Sequence, residues 1–147
     1  MSAEDQPAGL DSFTRRYLAI LGGIVLLGVA WWLASGDSRV DELNELLRTD
    51  RELADYPYTF RVLALENGVA SVSSPRSSQL SAVQGLRVMY PELREVSIQS
   101  DAMMAAQEQL GQVQSRAARI VSSEADVQRV HWVLDERWLA THGIYIQ

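Results

Sequence analysis

The chain has no cysteine among its 147 residues. Disulfides, thiolate metal ligands and a lipoprotein-type lipidated cysteine are therefore excluded. It has no lysine either, because all 13 basic residues are arginine. That rules out a Walker phosphate-binding lysine and any Schiff-base chemistry. Histidine is scarce, with two residues in all, whereas a zinc site needs three or four convergent ligands. A formal net charge of −6 argues against a general nucleic-acid binder. What remains is an ordinary globular balance, 47% hydrophobic and 22% charged, which excludes a wholly disordered chain.

The apolar residues are concentrated near the start. Tyr17 to Ala34 runs without a charge (YLAILGGIVLLGVAWWLA). At about 1.5 Å per residue the run spans roughly 27 Å, close to the hydrocarbon core of a bilayer. Arg15 and Arg16 abut one end, and Trp31 and Trp32 sit at the other, where indole rings favour the headgroup region. A cleaved signal peptide has a shorter core of about 7–15 residues. The bulky Trp pair also lies close to the candidate small-residue cut, Ala34-Ser35-Gly36. The run is apolar on every face, unlike the one-sided helix of a soluble domain. The expectation is an uncleaved transmembrane helix over residues 17–35, holding the lipid bilayer through Tyr17 to Ala34.

Orientation follows from the flanks. Arg39, Arg48 and Arg51 follow the run and balance a strict positive-inside count, but they alternate with acids, whereas Arg15 and Arg16 touch the membrane edge. Residues 1–16 are accordingly expected to form a polar cytoplasmic tail and residues 37–147 a domain on the outer side. Ala19/Gly23 and Ala30/Ala34 are small-residue pairs that would permit close helix packing in a homodimer.

Residues 37–147 are long enough for one core. With Arg15, Arg16, Glu4, Asp5 and Asp11 set aside, they carry a net charge of −5. Ser38-Arg39-Val40-Asp41 reads as a capping box opening a helix, along which Val40, Leu43, Leu46, Leu47 and Leu53 recur at helical spacing. Asp50 interrupts that stripe and Pro57 ends it. The apolar face suits packing on its own domain; a short coiled-coil stalk is the alternative.

A β-rich run follows, then Asn67-Gly68, the strongest short hairpin signal, and a returning strand from Val69. A two-residue turn pairs Leu65 with Ala70 and Leu63 with Val72, which would place those four on one face. Ser73 to Ser78 reads as a polar loop. Leu80, Val83, Leu86 and Val88 suggest a short helix ending near Tyr90-Pro91. Asp101 is expected to cap a long helix to about Val121, with Met103, Ala106, Leu110, Val113, Ala117 and Ile120 on its apolar face. Val127 to Leu134 alternates as a third strand, Arg137 to His142 forms a helical turn closed by Gly143, and Ile144-Tyr145-Ile146 could pair at a sheet edge. The fold class is α+β: helices covering a small antiparallel or mixed sheet of about three strands.

That order of helix, strand, Asn-Gly turn, strand, helix, strand resembles the BON domain, a small α+β module of bacterial envelope proteins. The similar parts are Arg61 to Val72 (RVLALENGVASV) and Ala117 to Leu134 (AARIVSSEADVQRVHWVL), with Val127-Gln-Arg-Val130 matching the family's V-x-x-V strand. The resemblance covers about half of residues 37–147. Ser73 and Ser74, and likewise Ala125 and Asp126, stand where the family usually has glycine, and a stretch is inserted between the hairpin and the long helix. The resemblance implies a non-catalytic domain that binds phospholipid or partner proteins.

Candidate chemistry is sparse. His131 and His142 flank Asp135 and Glu136, but a strand followed by a turn does not bring them together. Ser73, Ser74, Ser77 and Ser78 surround Arg76 without the G-x-S-x-G or S-x-x-K of an activated serine. Glu92 and Glu95 are paired carboxylates without a sign of a cleft. Arg87, Arg94, Arg116, Arg119, Arg129 and Arg137 could form a basic patch, but their domain is acidic, which favours protein contact over anionic lipid. Met89, Tyr90, Met103 and Met104 fit a core better than an adaptable groove. No catalytic, cofactor-binding or metal residue is assigned. The sequence is read as a single-pass protein of a bacterial inner membrane, with its C-terminal domain in the periplasm contacting an envelope or membrane protein. The alternatives are a phospholipid-binding module and an accessory subunit of a larger membrane complex.

Overall fold

The computed structural model describes residues 12–146, with side chains for 13–33 and 38–146. By contacts the chain divides after Asp37 into two compact units. Helix α1, Ser12–Thr49, belongs to both. Its first part carries the apolar run. Ile20, Leu26, Leu27, Trp31 and Trp32 are all exposed, and no part of the most apolar window is buried. By length and composition this helix can cross a membrane. Of the expected tail, residues 1–11 lie outside the described residues, while the stretch from Ser12 to Arg16 is already helical.

The helix expected to open at Ser38 does not open there. Because α1 is continuous through Ser38, there are no orphan N–H groups at that point for a cap to satisfy. The stripe beyond it packs as expected on its own domain: Leu43 and Leu47 enter the core, and Leu46 is turned outward. Asp50 interrupts the stripe for a local reason. Its side chain accepts from the Leu53 N–H at 3.2 Å and caps a new turn, α2, Arg51–Ala54.

Three strands follow in the spatial order β1, Val62–Glu66, then β2, Val69–Ser74, then β3, Arg129–Leu134. The β1–β2 pair is antiparallel and the β2–β3 pair parallel, so the sheet is mixed. The hairpin turn is the expected Asn67-Gly68, both in the left-handed region with φ of 49° and 77°. Leu65 pairs with Ala70 as expected, but Leu63 does not pair with Val72. A bulge between Val62 and Ala64 shifts the register, so Val62 faces Val72 and joins it in the core while Leu63 turns outward.

Between β2 and β3 lie α3, Ala82–Met89, a 3₁₀ turn at Pro91–Leu93, and α4, Asp101–Ser122. Ser81 and Gln84 form a complete capping box on α3. The cap of α4 is Ser100, not Asp101; the Ser100 hydroxyl accepts from the Met103 N–H at 3.2 Å and leaves Asp101 in the first turn. Helix α4 buries Met103, Leu110, Val113, Ala117 and Val121, close to the expected face, with Gln114 buried among them. The chain ends in α5, Glu136–Thr141, closed by Gly143 at φ 80°. Ile144 to Ile146 do not pair with the sheet.

Candidate interaction surface

The polar interior of the domain lies at the end of the sheet where β2 and β3 finish and β1 begins. Asp135, the residue after β3, caps α5 by accepting from the Trp138 N–H at 2.9 Å. Its other oxygen accepts from the Tyr58 hydroxyl at 3.0 Å and from the Arg61 guanidinium at 2.9 Å. Asp135 is buried, whereas Arg61 reaches the surface. Burial, reinforced by the Asp135 charge, pushes the Tyr58 phenol above its ordinary value, so it stays a donor. Beside this node Ser73 is fully buried and its hydroxyl accepts from the Arg61 N–H at 3.0 Å. One residue on, the Ser74 hydroxyl accepts from Gln114 at 2.8 Å, and Gln114 accepts in turn from Arg76 at 2.6 Å.

Two clefts flank the segment Pro57 to Arg61, and both are lined by Thr59 and Arg61. The larger, about 570 Å³, has apolar walls from Leu47, Leu53, Ala54 and Phe60 with Arg48 at its rim. The second, about 420 Å³, is lined by Pro57, Asp135, Arg137, Trp138 and Thr141. Together they present aromatic and arginine side chains, the residue types that dominate protein–protein contacts.

The residues singled out in sequence are distributed as follows. Ser73 and Ser74 belong to β2 and are not loop residues, while Ser77 and Ser78 follow it. His131 is exposed on β3, and His142 lies against Trp138 with ring centroids 4.5 Å apart and the rings tilted by 43°. Among the described residues no three His, Asp or Glu side chains gather as a metal would require. Glu92 and Glu95 are both exposed. The six arginines do not make one patch. Arg116 is paired with Asp50 at 2.8 Å and Glu52 at 2.6 Å, Arg137 lines the cleft with Arg61, and Arg87 and Arg94 share a separate cleft of about 380 Å³ with His142. Met103 is buried and its neighbour Met104 exposed, so the two face opposite ways and form no groove.

Sequence reasoning missed the Tyr58–Asp135–Arg61 node and the Gln114 bridge. One signal for each was present: an Asp immediately before Glu136 is a cap pattern, and Gln114 sits on the apolar face of a helix, where a polar side chain needs an internal partner. Comparison with protein-family models, with curated proteins and with solved structures finds no match.

Proposed function

We propose that this chain is a single-pass inner-membrane protein whose domain of residues 38–147 is a non-catalytic, BON-like binding module in the periplasm. It holds an envelope or membrane protein against the bilayer surface through the paired clefts around Thr59 and Arg61. The observation that carries the membrane half is the exposure of every large apolar side chain from Tyr17 to Leu33, which water disfavours and lipid accommodates. The binding half is supported by the apolar walls and arginine rims of the clefts. The BON-like reading is supported by the order of helix, hairpin, helix and strand from α1 to β3, with α3 and the 3₁₀ turn as the insertion.

The test is purification of the full chain in mild detergent with and without Thr59→Glu. Thr59 is exposed and lines both clefts, so the fold tolerates the change. A stoichiometric partner should accompany the parent chain and be lost from the variant. A partner retained in full by the variant would remove the clefts from the account.

A further inference from the structure

The sheet has two edges, and the fold treats them differently. The β1 edge is blunted. Asn44 of α1 occupies both backbone groups of Val62, and the bulge beside Leu63 breaks the ladder. These are the devices by which proteins protect an edge from further pairing. The β3 edge has neither. Its sequence, RVHWVL, contains no proline or glycine, and its register against β2 runs unbroken from Arg129 to Leu134.

In a parallel ladder, alternate residues turn both of their backbone groups toward the neighbouring strand. Arg129 donates its N–H to the Gly68 carbonyl and Asp135 to the Ser74 carbonyl, so residues 129, 131, 133 and 135 face β2. Val130, Trp132 and Leu134 therefore direct their N–H and C=O groups away from the sheet. Among the described residues no bond from another segment reaches them. The tail from Ile144 to Ile146 does not pair with them.

We propose that a second copy of this chain completes this edge, β3 against β3, antiparallel about a two-fold axis at Trp132. The outward residues are spaced symmetrically about Trp132. A register centred there sets Trp132 opposite Trp132 and Val130 opposite Leu134, and every outward group on both strands gains a partner. Neighbouring registers centred on an outward residue leave outward groups unpaired. Centring at Val130 leaves Leu134 of each copy with no strand residue opposite it, and centring at Leu134 does the same to Val130. The inference rests on strand geometry alone and is independent of the membrane reading.

The test uses the full chain in mild detergent and exploits its lack of cysteine. In the proposed register, His131 of one copy lies opposite Val133 of the other in a non-hydrogen-bonded pair. There the Cα atoms of paired strands approach to about 4.5 Å, within disulfide range. Copies carrying H131C and copies carrying V133C, expressed together in equal amounts and oxidised, should form the mixed disulfide well beyond the twofold excess over either like-with-like dimer that random pairing gives. Light scattering should give a two-chain mass for the parent. V130P deletes an N–H that the fold does not use, at an edge position where proline is tolerated, so this variant should keep the parent's circular dichroism and run as one chain. A one-chain mass for the parent overturns the proposal, as does a folded V130P that remains dimeric or a mixed disulfide at no more than the random twofold excess. If V130P fails to fold, the disulfide distribution decides alone.

Discussion

Asn44 and Val62 exchange two hydrogen bonds: the Asn44 amide donates to the Val62 carbonyl at 2.9 Å, and the Val62 N–H donates to the Asn44 side-chain oxygen at 2.7 Å. A side-chain amide thus serves as the missing neighbour strand at the β1 edge and fixes α1 to the sheet. Asn44→Ala leaves both backbone groups without protein partners, and an unsatisfied buried group costs about 1–3 kcal/mol. Denaturant unfolding of the variant should show a loss of about 2 kcal/mol. An unchanged midpoint would mean that water replaces the amide without penalty.

Asp135 holds three donors at once, from Tyr58, Arg61 and Trp138. Asp135→Ala strands the buried Tyr58 hydroxyl and uncaps α5, and should cost about 3 kcal/mol. Tyr58→Phe removes one donor and leaves the carboxylate its other two, so its cost should be nearer ~1 kcal/mol. Equal losses for the two variants would contradict the assignment of Asp135 as the shared acceptor.

Two glycines in helices predict opposite signs. A Cβ on Gly85 would lie 2.5 Å from the Pro75 carbonyl oxygen, a backbone atom that cannot swing aside. Gly85→Ala should therefore destabilise by about 1–3 kcal/mol, as overpacking does. Gly111 has nothing within 4 Å of that position, and Gly111→Ala in the middle of α4 should stabilise by about 0.5–1 kcal/mol. Thermal melts of both variants check the pair; a stabilising Gly85→Ala would show that α3 and the Pro75 loop are not in contact.

Much of this was legible in the sequence, and the misses have physical causes. The apolar run, the Asn67-Gly68 turn and the face of α4 are local patterns, and each depends on spacing along one element. The bulge at Leu63 is not local: it accompanies the bond from Val62 to Asn44 across the domain, and it reverses which of Val62 and Leu63 is buried. The cap at Ser38 failed because an upstream helix removed the need for it, and the cap at Asp101 failed by one residue because Ser100 has the better-placed oxygen. The interior node escaped because Tyr58, Arg61 and Asp135 are far apart in the chain and meet only once β1 and β3 join the same sheet.

Acid should weaken the domain through two carboxylates. The Arg116 guanidinium holds Asp50 below the ordinary carboxylate value, and Arg39 does the same for Asp126. A group depressed in the folded state contributes stability that is present above its unfolded value and is lost as pH falls through the folded one. Stability should be flat near neutrality and decline below about pH 4. Both pairs are partly exposed, so each contribution is small and is screened by salt. Asp126→Asn should flatten part of the acid slope, and a slope identical to the parent's would exclude the Arg39 cluster.

The most direct test of the central claim, a membrane-held module, is alkaline extraction of membranes from cells expressing the full chain. The account predicts that the chain stays in the membrane pellet at its full 16.4 kDa. A chain released into the supernatant, or recovered there shortened just beyond Gly36, would contradict it.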